Sequence, residues 1–285
     1  MPKTYNALYI DIRKRLRDAG VEAHSLEARL ILSHAADKTT AALMRDMSLY
    51  TSDAVADKCE EYLARRLAGE PVAYITGSWE FYGLPMKVSR DVLIPRSDTE
   101  VLVETAVRLL NGRKNDARIL DLCTGSGCIG CALAHELPAS RVVMIDKSPM
   151  ALRVAKDNAQ MNGLSARAIC IEADVMQPPP LRLGSFDMIV CNPPYIETGV
   201  IPALDSSVKD YEPHMALDGG EDGLDFYHAV LKQWSPLLRT ASYMVFEVGE
   251  TQADDVSRLM WLNGMKGVET VKDTAGIERV VIARS

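Results

Sequence analysis

The sequence predicts an α/β fold in which a doubly wound, mostly parallel sheet follows a small helical bundle. Two observations carry this prediction. From residue 117 onward, short runs rich in Val and Ile alternate with segments of helical periodicity, the pattern of βαβ units. Before residue 71, apolar residues recur three and four positions apart, as they do on amphipathic helices. The chain therefore divides into an N-terminal helical part and a C-terminal α/β part.

The N-terminal part, residues 1–71, is predicted to be a helical domain. Its first helix carries an apolar stripe at helical spacing, formed by Tyr5, Leu8, Ile12 and Leu16. Ser25 and Ser52 are placed to cap two further helices. The stretch holds no set of residues with the spacing of a catalytic site, so we expect the chemistry to lie elsewhere.

Residues 72–92 differ in composition from their neighbours and are predicted to form a hairpin linker. Tyr74-Ile75-Thr76 has strand-forming residues, and Gly83-Leu84-Pro85 is typical of a turn. Beyond the linker, Ser97 and Glu100 have the spacing of a capping box, which predicts the start of a helix.

The C-terminal domain, residues 93–285, supplies the alternating elements. Its predicted strands are 118–122, 141–145, 168–172, 186–191 and 242–248, with two more near 269–272 and 279–283. Its predicted helices are 127–136, 149–162, 222–238 and 251–263. The connection 196–222 is longer than a βα link needs, and long loops of this kind are often substrate lids.

Composition limits the classes of function. The 285 residues are 47% hydrophobic and 25% charged, and the net charge of −7 disfavours non-specific binding to nucleic acid or to anionic membranes. The sequence has no apolar run long enough to span a bilayer. Cys128 and Cys131 form a C-x-x-C pair with no second pair and no nearby His, so we predict packing residues and no metal site. Unpaired cysteines in apolar runs favour a reducing, cytoplasmic setting.

The segment Asp121–Gly127 follows the first predicted strand of the sheet and precedes a helix. Gly125 and Gly127 permit positive φ and a close approach of a ligand to the backbone. With Gly130 they also match the G-x-G-x-x-G pattern of dinucleotide sites, which is weak on its own. Asp121 favours a different ligand, because a carboxylate attracts the ammonium of an amino-acid moiety and repels a pyrophosphate.

Further acidic residues end the next two predicted strands. Asp146 is placed to accept hydrogen bonds from both hydroxyls of a ribose, which fits a dinucleotide and S-adenosylmethionine equally. Asp174 is placed to accept from an adenine amino group, with Val175 packed on the ring. Because the carboxyl ends of parallel strands meet at one edge of a sheet, these residues predict a nucleoside site there.

A stiff corner, Asn192-Pro193-Pro194-Tyr195, ends the fourth strand. Pro193 and Pro194 fix φ and donate no N–H, and the residue before them, Asn192, is pushed into an extended conformation. The corner can present an Asn oxygen and a proline carbonyl as paired acceptors, with the ring of Tyr195 beside them. Two such acceptors match the two N–H groups of a planar amino nitrogen.

Together these segments resemble the class I S-adenosylmethionine-dependent methyltransferases that act on planar amino nitrogens. Motifs in order along nearly the whole chain narrow the resemblance to the HemK/PrmC family: Glu70–Gly77, Val92–Arg96, Asp121–Gly127, Asn192–Tyr195, Glu212-Pro213, Ala216-Leu217, Asp222–Asp225 and Glu247–Gly249. This family methylates the glutamine side chain in the Gly-Gly-Gln loop of peptide-chain release factors. Its members join an N-terminal helical bundle by a hairpin to a Rossmann-like domain with a seven-stranded sheet, mostly parallel with one antiparallel strand.

The resemblance implies S-adenosyl-L-methionine as the cofactor and release factors as the protein partners, recognised through the helical domain. It places the target glutamine against Asn192, Pro193, Pro194 and Tyr195. The implied cofactor contacts are Cys123, Thr124, Gly125, Ser126, Gly127, Asp146, Val175 and Asn192. Asp121 and Asp174 join this set on the argument from charge and position given above. Direct contact with nucleic acid or a membrane is not part of the implied function.

Two departures from the family pattern concern the site. The segment usually written Pro-Arg-Pro-Glu-Thr-Glu has Ser97 and Asp98 at its third and fourth positions, and the first motif glycine is Cys123, which adds bulk near the cofactor. Arg96, just before the helix, receives no role from the sequence.

Four other functions share parts of the pattern. A sister group with the same catalytic segment methylates a glutamine of a large-subunit ribosomal protein. DNA adenine methyltransferases also carry Asn-Pro-Pro-Tyr, usually with an added target-recognition region and a basic groove. A non-catalytic, cofactor-bound assembly module would tolerate the loss of Asn192, Pro193 or Tyr195, and all three are present. A nicotinamide-dependent oxidoreductase would need a hydride-handling site, for which the glycines are the sole candidate.

Overall fold

Two compact units make up the chain in the computed structural model, which describes residues 3–112 and 116–285. The first unit consists of Met1–Ser78 together with Ser206–Tyr211, and the second of Trp79–Asp205 together with Glu212–Ser285. Met1 and Pro2, which open the predicted helical domain, lie outside the described residues.

Five helices build most of the first unit: α1 (Tyr5–Asp18), α2 (His24–Ala35), α3 (Thr40–Arg45), α4 (Asp53–Leu67) and α5 (Val72–Thr76). The predicted cap at Ser52 is confirmed, because its hydroxyl accepts the N–H of Val55 at the start of α4. The predicted cap at Ser25 is wrong. A turn closed by the His24 N–H and the Val21 carbonyl starts α2 at His24, with Ala23 at the cap position, and leaves Ser25 inside the first helical turn.

The predicted hairpin is shorter than the segment assigned to it. Strands β1 (Ser78–Phe81) and β2 (Leu84–Lys87) are joined by Tyr82 and Gly83, both at positive φ, as in a type I′ turn. The strand character predicted for Tyr74–Thr76 is wrong, because these residues form α5. The Pro71 carbonyl accepts two N–H groups at the start of that helix, which ends at a left-handed Gly77.

The predicted capping box is also wrong. Ser97–Thr99 form a 3₁₀ turn, and α6 (Glu100–Leu110) begins after it. The Glu100 carboxylate does not reach back to the cap, because it accepts the backbone N–H of Tyr82 in the hairpin turn at 2.8 Å. Glu100 therefore fixes the hairpin turn against α6.

The predicted sheet is confirmed, with seven strands of which one is antiparallel. The strands are β3 (Arg118–Leu122), β4 (Arg141–Asp146), β5 (Ala168–Glu172), β6 (Phe186–Cys191), β7 (Leu238–Glu247), β8 (Lys266–Lys272) and β9 (Glu278–Arg284). Their order is β5-β4-β3-β6-β7-β9-β8, and β9 runs antiparallel to both of its neighbours. The chain reverses its direction of sheet growth between β3 and β6, where a doubly wound sheet places its ligand crevice.

Helices cover both faces of this sheet, so its central strands are apolar on both sides. The remaining helices are α7 (Cys128–Glu136), α8 (Pro149–Met161), α9 (Ser206–Lys209), α10 (Asp225–Gln233) and α11 (Ala253–Leu262). Alternate residues of β3 enter different cores: Ile119 packs with α6 and α7, and Leu120 packs with α10 and α11. All six residues of β6 are buried, which anchors the strand that ends at Asn192. No helix in the described ranges is both long and apolar enough to cross a membrane.

Candidate active site

The carboxyl ends of the parallel strands open into a cavity of about 560 Å³. Eight of the ten residues predicted to bind the cofactor line it: Cys123, Thr124, Gly125, Ser126, Asp146, Asp174, Val175 and Asn192. The two others, Asp121 and Gly127, are buried and lie outside the lining. Most residues of the predicted cofactor set therefore lie around one cavity at the carboxyl edge of the sheet.

The loop after β3 owes its shape to left-handed backbone. Cys123, Gly125 and Gly127 have φ of 56°, 54° and 78°, and Gly127 precedes the first residue of α7. A Cβ added at Gly125 would meet nothing within 4 Å, so the space over this residue is open to a ligand. A Cβ added at Gly130 would lie 2.6 Å from the Met144 side chain, so this glycine allows α7 to pack on β4.

Asp146 joins this loop to the end of β4. One carboxylate oxygen accepts the N–H of Gly125 at 2.8 Å, and the other accepts the N–H of Ser148 at 2.8 Å. Burial raises the pKa of Asp146, and these backbone hydrogen bonds oppose the rise. A carboxylate has about four acceptor positions, so Asp146 keeps capacity for two further donors such as a pair of hydroxyls.

Asp174 forms a second acidic position on the cavity wall, at the end of β5. Its carboxylate pairs with the ammonium of Lys147 at 2.8 Å and accepts the N–H of Met176 at 3.0 Å. Burial favours a higher pKa, but these two partners outweigh it and hold the pKa of Asp174 below its ordinary value. The carbonyl of the neighbouring Val175 accepts the indole N–H of Trp234 at 2.9 Å, which fixes this turn to the core.

Asp121 lies beneath the cavity and does not line it, so its predicted contact with a ligand ammonium stays a prediction. It is fully buried, and its Oδ2 accepts the Thr124 hydroxyl at 2.5 Å and the Gly130 N–H at 3.0 Å. Burial raises the pKa of this carboxyl to about 7. Because Gly130 has no side chain, the backbone of α7 can approach the Asp121 carboxylate closely. Asp121 therefore holds the loop in place from beneath.

The corner after β6 contributes to two cavities. Asn192 and Pro194 line the main cavity, and Pro193 is buried between them in the chain. Tyr195 lines a second cavity of about 520 Å³, which shares Pro95 and Arg96 with the first. The four predicted catalytic residues are therefore adjacent but do not face one space.

The corner is braced from both ends. The Asn192 Nδ2 donates to the Thr99 hydroxyl at 3.3 Å. The Tyr195 carbonyl accepts the side-chain amide of Gln252 at 3.0 Å. A Cβ added at Gly249 would lie 3.3 Å from the Tyr195 ring, so this glycine leaves room for the ring. The predicted motif Glu247–Gly249 thus supports the corner from β7.

Sequence reasoning missed two carboxylates that reach the site. Glu212 is buried, pairs with the Arg96 guanidinium at 2.5 Å and accepts the Ile94 N–H at 3.4 Å. This pair gives Arg96 a role on the cavity wall. Glu247 is 2% exposed and interacts with the side chains of Thr99 and Asn192. The motif around Glu247 was noticed in the sequence, but a strand-end Glu alone carries no signal of its partner.

The long connection after the corner is closed at its base. The Ile196 N–H donates to the Leu217 carbonyl at 3.0 Å, and the Thr198 hydroxyl donates to Asp218 at 2.6 Å. His214 and Met215, within the connection, line the main cavity. Its predicted function as a substrate lid stays a prediction.

The cysteines of the C-x-x-C pair pack inside α7. Burial raises the pKa of the Cys128 thiol to about 12 and that of Cys131 further. Among residues 3–112 and 116–285, no group of three or more His, Cys, Asp or Glu side chains is placed to hold a metal ion.

Comparison with known proteins adds the following similarities. Residues 7–77 match the PrmC N-terminal domain, and residues 97–204 match the methyltransferase small domain. The chain is 39% identical over 273 residues to a release factor glutamine methyltransferase of Bradyrhizobium diazoefficiens, covering 95% of this chain and 91% of that protein. It is 40% identical over 274 residues to the protein of the same name from Geobacter sulfurreducens, with 95% and 93% covered.

Solved structures show a similar fold. A methyltransferase from Pyrococcus furiosus matches with a TM-score of 0.52 at 16% identity, covering 79% of this chain and 98% of that one. A human methyltransferase 10 domain containing protein matches with a TM-score of 0.51 at 19% identity, covering 72% and 90%. At these identities the matches support the fold alone.

Proposed function

The chain belongs to the family of release factor glutamine methyltransferases, and from this premise we propose its reaction. It transfers a methyl group from S-adenosyl-L-methionine to the side-chain amide nitrogen of the glutamine in the Gly-Gly-Gln motif of peptide-chain release factors. The observation that carries the proposal is one cavity lined both by the acceptor corner, through Asn192 and Pro194, and by a nucleoside-type wall, through Asp146 and Asp174.

The residues of the cavity fit the cofactor. Asp146 keeps acceptor capacity for the ribose hydroxyls, and Gly125 leaves open space above the loop. Asp174 and Val175 would take the adenine, with the ionised carboxylate or the backbone accepting from its amino group. When bound, S-adenosyl-L-methionine supplies a methyl group made electrophilic by a sulfonium.

The protein's contribution is to orient and desolvate the acceptor. An amide nitrogen is a poor nucleophile because its lone pair is delocalised into the carbonyl. The Asn192 side-chain oxygen and the Pro193 carbonyl would accept its two N–H groups and direct the lone pair at the methyl group. Tyr195 would flank the amide plane from the second cavity, which adjoins the first at Pro95 and Arg96.

The substrate and setting follow from the family. The helical first unit, matched by the PrmC N-terminal domain, would recognise the release factor. Because release factors act in translation, we place the reaction in the cytoplasm. The proposal includes three domain bounds: a recognition domain of residues 1–71, a linker of residues 72–92 and a methyltransferase domain of residues 93–285.

Mass spectrometry of purified release factor, incubated with this protein and S-adenosyl-L-methionine, tests the reaction. We expect one added methyl group, mapped by fragmentation to the Gly-Gly-Gln glutamine. A release factor with that glutamine replaced by Ala is the matched control and should gain none. Bound cofactor without methylation of this residue would reject the substrate. Methylation of the large-subunit ribosomal protein, or of DNA adenine, would then identify the alternative.

A further inference from the structure

Glu247 ends β7 directly beside the corner that ends β6. The two strands are parallel neighbours in which Cys191 pairs with Phe246, so the next positions along them are Asn192 and Glu247. The Glu247 side chain is 2% exposed and interacts with the side chains of Thr99 and Asn192. Asn192 is itself tied to Thr99, because its Nδ2 donates to the Thr99 hydroxyl at 3.3 Å. A buried carboxylate therefore lies behind the side chain proposed to hold the target amide.

The donors and acceptors of this cluster favour one orientation of the Asn192 amide. A hydroxyl has a single hydrogen, and a carboxylate has none to donate. When Thr99 donates its hydrogen to Glu247, its oxygen can only accept from Asn192, as the 3.3 Å contact from Nδ2 shows. Both neighbours then present acceptors to Asn192. The NH₂ group must face them, which leaves Oδ1 for the cavity that Asn192 lines.

We propose that Glu247 is a positioning residue for methyl transfer, holding the Asn192 amide with its oxygen toward the target nitrogen. This inference rests on the proposed function. Without an acceptor at position 247, the Asn192 side chain can turn over and present N–H groups to the N–H groups of the target, which repel. Glu247 acts through Asn192 and is not itself placed against the substrate.

The charge on Glu247 is set by its surroundings. Burial raises the pKa of its carboxyl to about 7, opposed first by the Thr99 hydrogen bond and then by the Arg279 charge, while Asp98 raises it further. One oxygen, Oε2, has no hydrogen-bond partner within the described part of the chain. The other titratable groups that interact with it stay neutral near pH 7, because burial raises the pKa of Tyr195, Tyr227, Cys128 and Cys191.

Protonation of Glu247 should therefore weaken the orientation of Asn192. The acid form gains an O–H group, and an Asn192 amide turned with Oδ1 toward Glu247 can accept its hydrogen. Since the carboxylate is the form that presents acceptors alone, kcat should rise with pH through about 7. Asp121 also has a raised pKa near this value, but it lies under the cofactor loop. Its titration should change the KM for the cofactor, and kcat at saturating cofactor separates the two.

The test is kcat at saturating cofactor between about pH 5.5 and 9 for wild type, Glu247→Gln and Glu247→Leu. We expect kcat about 100-fold lower for Glu247→Leu and about 10-fold lower for Glu247→Gln, whose amide oxygen can still accept. The wild-type step near neutral pH should be absent from both variants. Asp187→Asn is the matched control, since Asp187 is a buried carboxylate near the start of β6 that accepts from the Arg118 N–H and Arg239. It should keep the wild-type pH profile per folded molecule.

The side-chain NH₂ signal of Asn192 in ¹⁵N NMR, assigned from its absence in Asn192→Ala, gives a readout that needs no methylation. Its chemical shift should change with pH, with a midpoint at about 7, in wild type and not in Glu247→Gln. Active wild type with an unchanged kcat and pH step in Glu247→Gln would overturn the positioning role. If wild type methylates no release factor, the proposed function falls, and the NMR titration alone decides for or against the coupling of Glu247 to Asn192.

Discussion

Two buried carboxyls, Asp121 and Glu247, support the two halves of the site in different ways. Both lie near the carboxyl ends of parallel strands, and burial raises the pKa of each to about 7. Each leaves one oxygen without a hydrogen-bond partner in the residues that the structure describes. Asp121 holds Thr124 and a backbone N–H of α7, whereas Glu247 holds the side chains of Thr99 and Asn192. One carboxyl shapes backbone and the other orients a side chain.

The difference predicts how each half responds to mutation. The cofactor half is built from several backbone groups, so the loss of one side chain leaves most contacts in place. The acceptor half concentrates its chemistry in the Asn192 amide and one proline carbonyl. Single substitutions should therefore abolish turnover in the acceptor half and weaken binding in the cofactor half.

Asn192→Ala should have the largest effect. Removing one of two acceptors for the target amide should lower kcat by about 10²–10³-fold, by analogy with loss of one preorganised group that stabilises a transition state. Turnover by mass spectrometry and cofactor affinity by calorimetry check this, with affinity expected within a few-fold of wild type.

The matched control is Asn162→Ala, directly after the last residue of α8. Its amide donates to the Pro85 carbonyl at 2.9 Å, outside both cavities. This variant should keep wild-type turnover. An active Asn192→Ala protein would show that the corner does not orient the target.

Asp146→Ala should come next, and its effect should fall on binding. The carboxylate accepts from Gly125 and Ser148 and is proposed to take the ribose hydroxyls. Losing charged hydrogen bonds of this kind costs roughly 1.5–3 kcal/mol, or about 10- to 150-fold in the Kd for the cofactor. Calorimetry measures this Kd for both the wild type and Asp146→Ala. Asp157→Ala, an exposed carboxylate on α8 paired with Lys87, should leave the Kd unchanged. An equal loss in both variants would argue against the ribose contact.

The pH dependence of stability should identify Asp121. Its pKa is raised on folding, so the native state binds the proton more tightly than the unfolded chain, and stability falls as pH rises from the unfolded value of 3.8 to about 7. Asp121→Asn cannot titrate, so its stability relative to wild type should improve by up to roughly 4 kcal/mol across that window, since each tenfold difference in proton affinity is about 1.4 kcal/mol. Urea unfolding of both proteins at several pH values tests this. A pH-independent difference would show that Asp121 is ionised throughout.

Sequence reasoning succeeded where a single pattern dictates the outcome. Strands 118–122 and 186–191 were predicted with the observed bounds, because strands buried on both faces are largely apolar runs between turn signals. The bounds of the edge strand 168–172 were also predicted, although Ala168 is its sole buried residue. It failed where a distant group overrides a local signal. Glu100 has capping-box spacing, yet its carboxylate is taken by Tyr82 in the hairpin turn.

The same limit applies to the site. Strand ends could be assigned to one edge, so Asp146, Asp174 and Asn192 were predicted to lie close together, and all three line the main cavity. Whether a strand-end carboxylate faces the cavity or lies beneath it depends on packing between elements far apart in the chain. The sequence therefore placed Asp121 among the residues of the cavity, whose lining does not include it, and it assigned Glu247 no role.

The smallest expected effect concerns Cys123, where the loop carries a side chain at φ of 56°. A residue with a Cβ in the left-handed region destabilises the fold by roughly 1–2 kcal/mol. Replacing it by glycine removes this strain, but the greater conformational freedom of glycine in the unfolded chain offsets part of the gain. Cys123→Ala and Cys123→Gly both remove the sulfur, which contacts the Cys191 thiol, so their difference isolates the backbone. Cys123→Gly should be about 0.5–1 kcal/mol more stable than Cys123→Ala.

Gly125→Ala calibrates this difference, because Gly125 has φ of 54° and a Cβ there meets no neighbour within 4 Å. Its destabilisation, measured by urea unfolding, should match the gap between the two Cys123 variants. Cofactor affinity of Cys123→Gly should stay within about threefold of wild type, since the sulfur is engaged with Cys191. Equal stability of the Cys123 variants would mean that the loop relaxes at this position. The backbone of the cofactor half would then be less rigid than we infer from its contrast with the acceptor half, where Glu247 orients a side chain.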